Sequence, residues 1–204
     1  MFYIQGRRIS SCNSPFIVAE ISANHNGSLD KALSIMEAAK SAGADAVKLQ
    51  TYTADSMTID HDGPEFNLIE GPWAGRNLYE LYELAHTPWE WHDILFQKGR
   101  ELGIIVFSTP FDHEAVDFLE QFDPPAYKIA SFELVDIPLI EYVARTGKPM
   151  VMSTGMANQR EILSAVETAR KGGCDQICLL LCTSGYPSLP EEINLRKIYD
   201  LAQQ

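Results

Sequence analysis

Six short apolar runs, each too short to be a helix, alternate with longer amphipathic stretches along almost the whole chain. The runs predict strands near 16–21, 45–50, 104–108, 126–130, 149–153 and 176–182, and the stretches predict helices near 29–42, 89–102, 113–122, 137–146, 159–172 and 190–203. Helix starts carry cap signals. Thr87-Pro88-Trp89-Glu90 offers a cap, a proline at the first helical position and an acid in the first turn, while Asn158…Glu161 and Ser188…Glu191 repeat the cap-and-acid spacing. Asp112 and Asp136 read as caps as well. Gly43, Gly103, Gly147 and Gly172 follow helices, where a left-handed residue satisfies the last carbonyls.

Successive βα units with short returns imply parallel strands, arranged either as an open doubly wound sheet or as a closed barrel. The strand ends separate the two. Glu20, Lys48 and Gln50, Thr109, Lys128, and Ser153 lie at the ends of five consecutive runs. The segment Tyr127-Lys128-Ile129-Ala130-Ser131-Phe132-Glu133 adds a serine and a carboxylate just past its lysine. An open sheet brings only the strands beside its switch point to a ligand, so polar groups on five neighbours favour closure. A (β/α)8 barrel needs eight units and about 250 residues, whereas six units occupy these 204. The expectation is therefore that residues 1–204 form the N-terminal part of a TIM barrel.

The chain is 46% hydrophobic and 22% charged, enough to bury a sizeable core. A formal charge of −12 and a pI near 4.8 argue against binding nucleic acid or an anionic membrane surface. A small anion is compatible with that charge, because distant surface charges are screened beyond about 10 Å at 0.1 M salt. No apolar run approaches the roughly 20 residues of a membrane span, and residues 1–8 lack a signal-peptide core. A cytoplasmic location is expected. Cys178 and Cys182 lie about 13 Å apart if both are on one strand, too far for one metal, and all four cysteines (with Cys12 and Cys174) read as small buried hydrophobes. The connection from Thr51 to Asn77 is unusually long and carries His61, Trp73 and Arg76; it reads either as a substrate lid or as a surface excursion. Leu78–Ala85, which follows it, is helix-like.

Five segments together resemble the sialic acid synthase family. They are 16–27 (Phe16 to Gly27), 44–51 (Ala44 to Thr51), Phe107-Ser108-Thr109-Pro110-Phe111, 127–133 (Tyr127 to Glu133) and Ser153-Thr154-Gly155-Met156. The stretches Leu78-Tyr79-Glu80-Leu81-Tyr82, 85–92 (Ala85 to His92) and Ser131-Phe132-Glu133 are most similar to the pseudaminic acid branch. The resemblance implies a TIM barrel followed by a small C-terminal antifreeze-like domain, neither its last two units nor that domain lying in this chain. It implies a homodimer in the full-length protein and condensation of phosphoenolpyruvate with an amino-sugar aldehyde, helped by Mn2+ or Mg2+ whose ligands fall outside these residues.

Carried onto matching positions, Lys48 and Lys128 pair with phosphoenolpyruvate. Gln50, Thr109, Ser131, Ser153 and Ser184 donate to its phosphate or carboxylate, Glu20 and Glu133 flank the reacting carbon, and Tyr186 meets the sugar. Each has a plainer competitor. The lysines and glutamates could pair structurally, Thr109 and Ser153 could cap helices, and His25 could be a loop histidine satisfied by backbone. His61, His86, His92 and His113 read as structural or exposed. Rival functions are a synthase for N-acetylneuraminate, legionaminate or spore-coat polysaccharide, a Schiff-base aldolase using a strand lysine, and a truncated chain that only binds phosphoenolpyruvate.

Overall fold

All six apolar runs become strands in the computed structural model, which describes residues 2–71, 73–185 and 188–202. An antiparallel hairpin comes first, β1 (Phe2–Ile4) and β2 (Arg7–Ile9). Then follow β3 (Val18–Glu20), β4 (Ala46–Thr51), β5 (Ile105–Pro110), β6 (Tyr127–Ile129), β7 (Met150–Ser153) and β8 (Ile177–Leu180). These six pair in sequence order, each parallel to the next, in a curled arc of a (β/α)8 barrel. The helices are α1 (Leu29–Ser41), α2 (Ala54–Met57), α3 (Leu78–Ala85), α4 (His92–Leu102), α5 (His113–Glu120), α6 (Ile137–Ala144), α7 (Gln159–Lys171) and α8 (Lys197–Ala202). No helix among the described residues is long and apolar enough to cross a membrane.

Alternate strand residues enter two separate cores, as the period of two requires. Val47, Leu49, Val106, Tyr127, Ile129, Met150 and Met152 pack outward against helix residues such as Met36, Leu95, Leu119, Ile140 and Ala165. Ala126 and Val151 point the other way and pack on Ile4, with Phe2, Ile9, Ile105, Cys178 and Leu180 around them. The hairpin thus fills the floor of the arc. Its turn, Gln5-Gly6, has φ of 47° and 78°, the all-positive pair of a type I′ hairpin. These three-residue strands are too short for a periodic signal, and the hairpin is absent from the sequence-based expectation.

Four other expectations are corrected. The helix near 190–203 is only Lys197–Ala202, preceded by a 3₁₀ turn at Pro190–Glu192. Ser188 does not cap it, because its hydroxyl bonds back to the Gly185 carbonyl; the Glu192 carboxylate accepts from the Leu189 N–H instead, at 3.1 Å. Leu189, Ile193, Leu195, Ile198 and Tyr199 are all exposed, and amphipathic helices depend on a packed face. Thr87 is not a cap either; α4 begins at His92 after a 3₁₀ turn, Trp89–Trp91, whose cap residue is Pro88. Gly172 is right-handed, and Gly173 takes the left-handed position at φ 102°. Cys12 is exposed rather than buried. Asp112, Asp136 and Asn158 cap as expected, the last with Glu161 in a full capping box.

The long connection holds α2, a 3₁₀ turn at Pro64–Phe66 and a bridge between Asn67 and Asn77. Asn77 then caps α3 by accepting from the Tyr79 N–H at 2.8 Å.

Candidate active site

Glu20, Lys48 and Gln50, Thr109, Lys128, and Ser153 occupy the inward-facing rows of β3, β4, β5, β6 and β7, above the apolar floor. The Lys48 ammonium lies 3.0 Å from Glu20 Oε2 and donates to Thr109 Oγ1 at 3.0 Å. Lys48 is buried, whereas the Glu20 side chain is 53% exposed, so the pair runs from the interior up to the rim. Lys128 is 8% exposed and donates to the Ile129 carbonyl at 2.7 Å. Among the described residues it makes no salt bridge.

Both lysines lie on inward rows, Lys48 on β4 and Lys128 on β6, on either side of β5. Burial, and then Lys48, pull the Lys128 amine down to about 8, against weaker support from Cys182, Glu20 and Glu133. Burial also lowers Lys48, partly offset by Glu20. Glu133 is raised by burial, and its Oε2 is the one buried side-chain N or O atom without a hydrogen-bond partner among the described residues. Two desolvated ammonium groups, one without a carboxylate partner, are costly to bury; an anion between them would remove that cost.

The remaining predicted donors gather beside β7 and β8. A Cβ added to Gly155 would lie 2.4 Å from Ser184 Oγ, 3.1 Å from Cys182 Cβ and 3.2 Å from Ser131 Oγ. Gly155 is therefore the close approach that lets the two serines converge, a role no spacing in the sequence signals. Ser153 Oγ accepts from Cys182 Sγ at 3.2 Å. Neither Thr109 nor Ser153 caps a helix, because Asp112 and Asn158 do so. Gln50 is held by Ser22, whose hydroxyl donates to Gln50 Oε1 at 2.9 Å from a left-handed backbone at φ 48°. Such a conformation in a non-glycine residue is strained and often marks a functional loop. Tyr186 lies outside the described residues.

The histidines divide. His25 is fully buried, accepts the Gly27 N–H on Nδ1 at 3.1 Å and meets Thr87 Oγ1 through Nε2 at 3.4 Å; burial chiefly lowers its pKa. It is a loop histidine satisfied in part by backbone. His92 is buried behind β4 and β5, with Nε2 at 2.8 Å from Thr51 Oγ1, itself 2.7 Å from Ser108 Oγ. No three of His, Cys, Asp or Glu come together to hold a metal among the described residues, so these side chains do not by themselves fit the expected cation. A recess of about 730 Å³ lies away from this chemistry, at the strand starts around Arg100, Ile104, Pro124 and Lys148.

Parallel βα units that turn charged groups inward at the C-terminal strand ends define a barrel protein of the kind whose active site occupies that face. The chain matches the NeuB family over residues 35–204 and belongs to it. It is 47% identical to the pseudaminic acid synthase of Campylobacter jejuni over 93% of this chain and 55% of that protein. Identity is again 47% to the pseudaminic acid synthase of Helicobacter pylori, over 93% and 56%. The crystal structure of the spore coat polysaccharide biosynthesis protein SpsE of Bacillus subtilis superposes with a TM-score of 0.83 at 36% identity, over 99% of this chain and 53% of that one. The chain spans about half the length of the curated relatives it matches.

Proposed function

We propose that the complete gene product condenses phosphoenolpyruvate with a 2,4-diacetamido-2,4,6-trideoxy hexose aldehyde to give pseudaminic acid and inorganic phosphate. The burial of Lys48 and Lys128 on the inward face of the arc carries this reading, since Glu20 balances only Lys48 and a small anion would supply the charge that Lys128 lacks. Charge-assisted hydrogen bonds of this kind are about twice as strong as neutral ones. In this reading Gln50, Thr109, Ser131, Ser153 and Ser184 donate to the phosphate or carboxylate, and Tyr186 contacts the sugar.

In the reaction C3 of phosphoenolpyruvate bonds to the aldehyde carbon, whose oxygen takes a proton to become a hydroxyl. The positive charge left at C2 is captured by the oxygen of a water. That water loses its protons as the bond from C2 to the phosphate oxygen breaks, leaving a ketone and inorganic phosphate. Glu20 and Glu133 stabilise the charge at C2, an electrostatic role that often contributes about 3–4 kcal/mol per group. Burial raises the Glu133 carboxyl above its ordinary value. Mn2+ or Mg2+, with ligands beyond this chain, belongs to the proposal, and no step here is routed through it. So do the remaining barrel units, a C-terminal domain and a homodimer.

The test is phosphate release by the complete gene product with both substrates and divalent cation present, with the product identified by mass. Release that needs the sugar, and a product of the summed mass less phosphate plus water, are expected. Phosphate release without the aldehyde, or none at all, overturns the reading. Parallel assays with the aldehydes that lead to N-acetylneuraminate and legionaminate identify the sugar. Lys128 near 8 also suits an amine nucleophile; borohydride with substrate would then add mass at Lys128, and no such adduct is expected.

A further inference from the structure

The Cys182 thiol, read from the sequence as a small hydrophobe, spends its one hydrogen inside the site. Two acceptors lie within its reach, Ser153 Oγ at 3.2 Å and the Leu180 carbonyl at 3.6 Å. That carbonyl is already engaged, because the Thr154 N–H donates to it at 3.1 Å and the Thr154 hydroxyl at 2.9 Å, which occupies both of its lone pairs. The thiol hydrogen therefore goes to Ser153.

The consequence falls on Ser153. A serine hydroxyl that accepts a hydrogen bond keeps its own hydrogen to give, and among the described residues Ser153 gives it to no acceptor. Ser153 is 6% exposed, and a donor left unspent at that depth costs free energy that a ligand acceptor would recover. It stands on the inward row of β7, two residues past Val151, which pairs with Lys128 on β6. Cys182 belongs to the same wall, since a Cβ on Gly155 would lie 3.1 Å from Cys182 Cβ as well as against Ser184 and Ser131 Oγ. An unspent hydroxyl hydrogen on the row beside Lys128 suits a group that only accepts, such as a phosphate or carboxylate oxygen.

We infer that Cys182 is a positioning residue for phosphoenolpyruvate: its thiol engages the Ser153 oxygen as an acceptor and so commits the Ser153 hydrogen to the bound anion. This rests on the synthase reading above. The thiol acts through Ser153 and not by contact with the substrate.

The test is a double-mutant cycle on phosphoenolpyruvate binding, read by titration calorimetry on the complete gene product. Cys182→Ala is expected to weaken binding about fivefold, the order of one neutral hydrogen bond, and Ser153→Ala by at least as much. In a Ser153→Ala background the further change Cys182→Ala should cost less than about twofold, because the thiol then has nothing to orient. A loss there as large as in the wild-type background would mean that Cys182 only fills space, and it overturns the inference; so does undiminished binding in Cys182→Ala. Wild-type protein that fails to bind phosphoenolpyruvate overturns the synthase reading and the inference with it.

A second variant keeps the donor. Cys182→Ser is similar in size and again finds Ser153 Oγ as its available acceptor, so binding within about threefold of wild type is expected. A larger loss overturns the inference, whether or not the alanine variant folds.

Discussion

Lys128 makes the sharpest claim that any single side chain here supports. Its amine is held near 8, below the ordinary lysine value of 10.5, so the ammonium is present below that pH and is lost as pH rises through it. Affinity for phosphoenolpyruvate is expected to be full below about pH 8 and to fall above it; titration calorimetry across pH checks this. Lys128→Met should flatten the profile and weaken binding at every pH. The sign for folding is opposite. Between about 8 and 10.5 the unfolded chain holds more protons, so the cost of burying this ammonium eases as pH rises. Gly155→Ala carries a second expectation. Its methyl would press on Ser184 and Ser131, and displacing such groups by about 1 Å costs on the order of 100-fold in turnover, readable as kcat with the melting temperature as a control for folding. The lysines and acids were legible in the sequence because charged residues at the ends of apolar strands have few other uses. Gly155 and Ser22 were not, because each sits against neighbours brought close only by the fold.

Among elements, β4, β5 and α4 are tied by a buried polar chain from His92 through Thr51 to Ser108. On their other face the same two strands present Lys48, Gln50 and Thr109. The His92 ring also packs on Phe118 and Phe122. His92→Phe preserves much of that packing but leaves Thr51 short of a partner, at an expected cost of about 1–3 kcal/mol in urea unfolding. Burial lowers His92 to about 4 from 6.5, so between those values the unfolded chain binds the extra proton. Stability from this site should be intact above pH 6.5 and fall by on the order of 3 kcal/mol as pH drops toward 4. In His92→Phe that dependence should vanish. Strands and most helices were readable because burial on both faces writes a continuous apolar run. The stretch 190–203 misled because periodicity reports a capacity for packing, and of its apolar residues Leu201 packs on the core whereas Ile193, Leu195, Ile198 and Tyr199 stay exposed.

At the scale of the molecule, each end strand of the sheet, β3 and β8, has a strand neighbour on one side only among the described residues. Exposed parallel edges beside apolar surface template association. The 204-residue polypeptide produced alone is therefore expected to self-associate with rising concentration, and sedimentation velocity on it checks this; a monomer at all concentrations would contradict the expectation. Barrel topology was readable from the order of elements and the polar strand ends. The floor was not, since its three-residue strands announce themselves only through Gln5-Gly6. That floor also bears on how the molecule is made. The Tyr3 N–H is held by Gln176 Oε1 at 2.8 Å, and Ile4 rests against Val151 with Cys178 and Leu180 close by. At roughly 5–20 residues per second, Tyr3 and Ile4 leave the ribosome on the order of 10–35 seconds before their seat is synthesised, so this hairpin is among the last elements to settle.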